Sequence, residues 1–304
     1  MRFAIGVDLG GTNMRAALVR EDGHIVAMEK RKTPVESGPE ATARGIAEMA
    51  VNLKTANANL RIEGLGVGSP GPLSRTEKKV FKTANLPGFE GYPIGYKIEE
   101  YSGLIVQLDN DAKCAAYGEG QFGAAKGLKN YILMTFGTGI GGGILVDEKM
   151  IYGKSDGACE VGHFTLYPDG ELCGCGNRGC FEKYASASAI QRRSEEYFSQ
   201  RLNARQVFEK LQQGDKQAEA LLRLIARDIA LGTASLVNLF DPEAVIFGGG
   251  IFVEGGGPMI GWIREGMKDR CFESSQKGLK LEASALSGHA GMLGAASLVF
   301  RAVL

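Results

Sequence analysis

Residues 3–19 read FAIGVDLGGTNMRAALV. An apolar run reaches Asp8, the turn residues Gly10, Gly11, Thr12 and Asn13 follow, and alternation resumes through Met14, Ala16 and Leu18. Alternation places successive side chains on opposite faces, so the stretch predicts a strand, a tight glycine turn and a returning strand. Residues 131–146, YILMTFGTGIGGGILV, repeat the plan, with Gly137, Gly139 and Gly141 to Gly143 read as the turn. Two hairpins of one design so far apart predict a duplicated domain, because the period of a solenoid is shorter.

The segments after each hairpin predict further strands and then helices. Ile46, Met49, Ala50 and Leu53 share one helical face, with Pro39 as a first-turn proline. Leu65 to Val67 reads as a buried strand that ends in a Gly/Pro loop at Ser69 to Pro72, and Leu104 to Leu108 reads as another. NDAKCAAYGEG opens a helix with Asn110 or Asp111 as N-cap. Asp215 precedes a long amphipathic helix carrying Leu221, Leu222, Ile225 and Ile229, which ends near Asp241-Pro242, and AVIFGGGI follows as a strand running into glycines. Strands alternating with helices make the class α/β.

A chain of 304 residues is expected to form two domains. Lys+Arg and Asp+Glu balance at 35 each, which argues against nucleic acid as a partner, since a polyanion is held through a surplus of cations. The first residues put Asp8, glycines and Arg15 where a secretory leader needs an apolar core, and the longest uncharged run, Tyr131 to Val146, is too short and too rich in Gly and Thr to span a bilayer. The expectation is a cytoplasmic protein without a membrane partner. Of six cysteines, Cys114, Cys159 and Cys271 are scattered and expected to be plain buried thiols, while three are bunched in ELCGCGNRGCFEKY, residues 171–184. The 44 glycines are about twice the usual share, and their clusters are where chemistry is sought.

A turn without Cβ atoms lets successive N–H groups approach a phosphate. Gly10 and Gly11 offer such a backbone, Thr12 and Asn13 add side-chain donors, and Asp8 is placed to hold Mg²⁺ through water. Turn geometry alone accounts for the first set of glycines equally well. The second turn, with Gly137, Thr138 and Gly139, and the strand end at Gly248, Gly249 and Gly250 favour a nucleotide gripped between two lobes. Neither turn is a Walker loop, because no Gly-Lys-Ser/Thr follows, and the GxGxxG spacing at Gly137 leads into a strand and not the helix a dinucleotide site needs.

DLGGTNMR, SPGPL, NDA, FGTGIGGG, EVGH, CGCGNRGCFE and FGGGI, in that order, resemble the ROK family of sugar kinases and related repressors over essentially the whole chain. The resemblance implies a two-lobed actin/hexokinase-type (ribonuclease H-like) α/β fold with duplicated β-sheet and helix units, and ATP and sugar in the cleft between lobes. The expected division is residues 1–109 plus about 290–304 as the smaller lobe and 110–289 as the larger. The activity implied is transfer of phosphate from Mg·ATP to the 6-hydroxyl of a hexose, glucose first, with N-acetylglucosamine, N-acetylmannosamine, mannose or fructose as alternatives. Members are commonly homodimers. The family's sugar-sensing repressors carry an extra N-terminal helix-turn-helix, whereas here the first strand begins at Arg2 or Phe3.

Cys173, Cys175 and Cys180 with His163 make a Cys₃His set suited to structural Zn²⁺, which the resemblance supports at all four positions. A disulfide is disfavoured in a cytoplasmic protein, and adjacent CxC thiols bridge only with strain. Glu160 and Glu182 flank the set, and two solvated glutamates would be the ordinary reading of them. By resemblance, Glu160, His163 and Glu182 contact the sugar, His163 serving metal and sugar through different ring nitrogens, and Asn85, Asn110 and Gly71 line the same pocket. Asp111 is the expected base, orienting the acceptor hydroxyl and taking its proton; a plain helix cap is the competing reading of Asn110-Asp111.

Overall fold

The hairpin at the chain start forms as its alternation predicts. In this computed structural model, which describes residues 1–81, 83 and 86–302, β1 (Phe3–Leu9) and β2 (Asn13–Arg20) pair antiparallel, Asp8 opposite Arg15. β3 (Ile25–Lys32) extends the pair, and β4 (Ile62–Ser69) lies parallel to β1. The short strands β5 (Leu73–Ser74) and β6 (Lys79–Val80) form a separate ribbon, and β7 (Val106–Asn110) completes a five-stranded sheet of order β3-β2-β1-β4-β7. The second hairpin builds a sheet of the same plan. β8 (Tyr131–Phe136), β9 (Ile140–Val146), β10 (Lys149–Met150), β11 (Ala244–Gly248) and β12 (Lys280–Ala283) run in the order β10-β9-β8-β11-β12, with the two hairpin pairings antiparallel and the others parallel. The matching order is the duplication read from the two glycine hairpins.

Helices follow the strands as expected for α/β alternation. The first sheet carries α1 (Gly38–Ala56), α2 (Ile94–Ser102) and α3 (Asp111–Phe122). Then come α4 (Glu182–Ala185), α5 (Ala187–Phe198), α6 (Ala204–Gln212), α7 (Lys216–Phe240), α8 (Gly250–Gly255), α9 (Gly257–Met267), α10 (Glu273–Gln276) and α11 (Ala290–Ala302). Pro39 stands in the first turn of α1, and the face with Ile46, Met49, Ala50 and Leu53 is buried against the first sheet. Asp215 caps α7 by accepting from the backbone of Gln217 and Ala218. Cys114 is buried, and Cys159 and Cys271 are half-buried. No described helix is long and apolar enough to cross a membrane.

Three expectations need correcting. The strand read at Leu104 to Leu108 starts two residues later, because α2 ends on left-handed Gly103 and the Leu104 amide is taken by the Ser102 hydroxyl, leaving Val106 as the first residue to pair with β4. Gly141 to Gly143 lie in β9 and not in the turn; the missing side chain of Gly142 lets Val161 sit on the strand, where a Cβ would come within 2.6 Å of it, and that of Gly162 lets its backbone approach Ile140 O. The chain divides at different points from those expected. One compact unit holds residues 1–127, 152–158 and 288–304, the other 128–151 and 159–287. α3 thus belongs with the first sheet, since Gly118 of α3 and Gly294 of α11 allow the two helix backbones to touch. The segment Tyr152–Ala158 joins that unit as well.

Candidate active site

In the first unit, the Gly10–Thr12 turn is tied on both sides. Gly10 N donates to Asn13 O at 2.9 Å, Thr33 Oγ1 donates to Gly10 O at 2.6 Å, and Thr33 N donates to Thr12 O. Asp8, near the end of β1, accepts from Arg15 Nη2 at 2.5 Å across the hairpin. The first turn of α11 approaches the same carboxyl, so that a Cβ on Gly291 would lie 3.2 Å from Asp8 Cγ. A half-buried carboxylate beside a backbone-lined glycine turn has the donor chemistry of a water-mediated Mg²⁺ site.

Asn110 and Asp111 occupy the junction of β7 and α3. The cap reading applies to Asn110, whose side-chain oxygen accepts from Ala112 N and Lys113 N at 3.0 and 3.2 Å. Its amide nitrogen faces Gly71 O at 3.5 Å, bringing together two of the residues expected at the sugar. Asp111 is the first helical residue, and its Oδ1 accepts from Ala112 N at 2.8 Å. Its carboxylate therefore sits where the helix dipole favours negative charge, without having to serve as the cap. Asn85 lies outside the described residues.

In the second unit the zinc set assembles. The donor atoms of His163, Cys173, Cys175 and Cys180 all lie within 4.8 Å of one another. Cys175 and Cys180 sulfurs are 3.6 Å apart, and Cys173 Sγ is 3.8 Å from His163 Nδ1. A tetrahedral ion at ~2.3 Å from thiolate sulfur separates its sulfurs by roughly 3.8 Å, so the four residues fit Zn²⁺. Burial, and then the neighbouring Cys175 and Cys173 sulfurs, push the Cys180 thiol up to about 12. A cation at this site would favour the Cys180 thiolate as a ligand.

The cysteine loop has a second anchor that no motif announced. Buried Asp228 of α7 accepts from Tyr167 OH at 2.6 Å and from Arg193 Nη1 at 2.7 Å. Arg193 also donates to Tyr184 O, while Tyr184 OH accepts from Glu171 N at the start of the loop. Glu182 projects from this frame onto the second glycine turn. Its Oε2 accepts from Ile140 N at 3.0 Å, and its Oε1 is 4.0 Å from Cys173 Sγ. Ala187 N donates to Gly137 O and Ser188 Oγ to Thr138 O, so the stretch following the cysteines holds all of Gly137–Gly139. Gly249, with φ 83°, abuts the Phe136 backbone that leads into the turn, and Gly250 begins α8. Glu160 precedes the short 3₁₀ turn Val161–His163 and accepts from His163 N through its carbonyl. The second unit thus brings together His163, Glu182, the cysteines and the Gly137–Gly139 turn, with Glu160 at the start of the turn that carries His163 and Gly249 packed against the strand that leads to Gly137.

Two sheets of one plan, each with a glycine hairpin, define the class: a two-domain α/β protein of actin/hexokinase type. The model of the ROK family matches residues 4–302, and the chain belongs to that family. It is 35% identical to a glucokinase of Thermotoga maritima over 97% of this chain and 96% of that one. A ROK family glucokinase of Streptomyces griseus, solved with glucose and AMPPNP, superposes with a TM-score of 0.86 at 33% identity, covering 98% of this chain and 99% of that one. An N-acetylmannosamine kinase of Yersinia pseudotuberculosis is 34% identical over 83% of this chain and 84% of that one.

Proposed function

We propose that this protein is a glucokinase, transferring the γ-phosphoryl group of ATP to the 6-hydroxyl of glucose, with Asp111 as base. The observation that carries the assignment of the base is the division of labour at the β7–α3 junction, where Asn110 supplies the cap and Asp111 presents its carboxylate from the first helical position. Asp111 orients the hydroxyl toward the phosphorus and accepts its proton as the new P–O bond forms. Gly71, Asn85, Asn110, Glu160, His163 and Glu182 are the residues assigned to the sugar in this reading. Glu160 and Glu182 suit this task because carboxylates accept hydrogen bonds from hydroxyls. The backbones of Gly10, Gly11, Gly137, Gly139, Gly249 and Gly250, with Thr12, Asn13 and Thr138, hold the nucleotide. Mg²⁺, held near Asp8, neutralises phosphate charge when bound.

Zn²⁺ on His163, Cys173, Cys175 and Cys180 is structural in this reading, since four protein ligands leave no open position. His163 presents Nδ1 to Cys173, which leaves Nε2 for the sugar. The similarity to an N-acetylmannosamine kinase supports a second reading, in which the acceptor carries an acetamido group at the 2-position. The test of the base is Asp111→Asn. Turnover is expected to fall by about 10²–10⁴-fold with glucose affinity retained; near-parental turnover would remove Asp111 from the role.

A further inference from the structure

Directly behind Asn110 and Asp111 lies a ring of charged and aromatic side chains, with Asp109 and Lys113 buried, that the reaction as described does not use. Asp109, one residue before the end of β7, is 1% exposed. Its Oδ1 accepts from Asn110 N at 2.8 Å, and its Oδ2 accepts from Tyr152 OH at 2.6 Å. Arg75 Nε stands 3.8 Å from Oδ2, and the guanidinium lies over the Tyr152 ring, 3.8 Å from its centroid. Lys113, on the first turn of α3 and 2% exposed, donates to Asp156 O at 2.6 Å and sits 5.3 Å from the same ring centroid. Asp156 closes the ring by accepting from Arg75 N at 3.0 Å. All five residues belong to the first unit.

Such a ring is a poor way to stabilise a fold. Desolvating the Asp109 carboxylate and the Lys113 ammonium costs more than packing apolar groups of the same shape, and burial raises the Asp109 carboxyl above its ordinary range in spite of its partners. What the ring does is geometric, for each member fixes a piece of backbone next to a residue of the site. Asp109 holds the amide of Asn110. Arg75 holds the loop that begins at Gly71, through its own amide as well as its side chain. Lys113 holds the first turn of α3, and Tyr152, which also lies 3.3 Å from Tyr117 OH of that helix, fixes Asp109 from the opposite side.

We propose that Asp109, Tyr152, Arg75 and Lys113 are positioning residues that fix the Asn110–Asp111 turn for phosphoryl transfer. The proposal rests on the reading of Asp111 as base. In-line transfer loses rate steeply when a reacting group is displaced by an ångström, whereas nucleotide held elsewhere is unaffected. Loosening the ring therefore lowers kcat and spares the KM for Mg·ATP.

The experiment compares Tyr152→Phe, Lys113→Met and Asp111→Asn in the full-length protein. Tyr152→Phe keeps the ring beneath Arg75 and Lys113 and removes only the hydroxyl. It is expected to lower kcat at least about tenfold, with KM for Mg·ATP within about twofold of the parent. Lys113→Met, which loses the bond to Asp156 O at similar side-chain length, should show the same split. Parental kcat in both variants, with Asp111→Asn inactive, overturns the proposal and leaves the base reading intact. Loss of kcat in both with Asp111→Asn still active removes the base reading and keeps the ring as a device that shapes the Asn110 turn. Equal losses of kcat, glucose affinity and melting temperature would show a purely structural ring and overturn the proposal.

Discussion

Gly139 shows how much can depend on a hydrogen atom. A Cβ there would collide with Glu182 Oε2, the oxygen that accepts from Ile140 N. Gly139→Ala should therefore displace the carboxylate and loosen the turn. The expected result is a rise of about tenfold in KM for Mg·ATP and a loss of about 1–3 kcal/mol of stability, read from steady-state kinetics and urea unfolding; unchanged KM would place the nucleotide away from this turn. Glu40 gives a prediction in pH. It accepts from Tyr101 OH, from Tyr92 OH at 2.5 Å and from Arg44 at 2.8 Å, and these bonds, Tyr101 first, lower its carboxyl from 4.5 to about 2. A carboxylate with a depressed pKa in the folded state stabilises it fully above the unfolded value and loses that contribution as pH falls from about 4.5 toward 2. Carbon-detected NMR should find the Glu40 midpoint near 2, and Glu40→Gln should flatten the stability slope over that interval; a midpoint near 4.5 would show that the tyrosines do not hold it.

Among the elements, the cysteine loop has the widest reach. In the zinc reading the metal fixes one side of it; Asp228 holds the other, and Glu182 with Ala187 and Ser188 passes that rigidity to Gly137–Gly139. Removing Zn²⁺ with a chelator should lower the melting temperature and the glucose affinity, and should also raise KM for Mg·ATP, because the glycine turn loses its clamp. A fully active, metal-free protein would contradict the zinc reading. The local part of this was legible in the sequence: CxC and GC spacing with an upstream His predicts the Cys₃His cluster that forms, and NDA before an apolar-periodic run reports a capped helix. The Asp228 anchor was not, since Tyr167 and Asp228 are 61 residues apart and a buried Asp on a long amphipathic helix looks like any other polar position until its partners are seen.

Across the whole molecule, the duplication was legible for the same reason that it folds. Each glycine hairpin is a local signal of period two and a tight turn, and the two sheets share one strand order. The division into units was less legible. The membership of α3 depends on close backbone contact through Gly118 and Gly294, and that of Tyr152–Ala158 on bonds such as Tyr152 to Asp109, neither of which leaves a periodic trace in the chain. Transfer of phosphate from ATP to glucose is measured most directly by coupled ADP release with glucose, N-acetylmannosamine, N-acetylglucosamine, mannose and fructose offered one at a time. Glucose is predicted to give the highest kcat/KM, with glucose 6-phosphate formed in step with ADP. Sugar-independent ADP release, or a higher kcat/KM with N-acetylmannosamine, would contradict it.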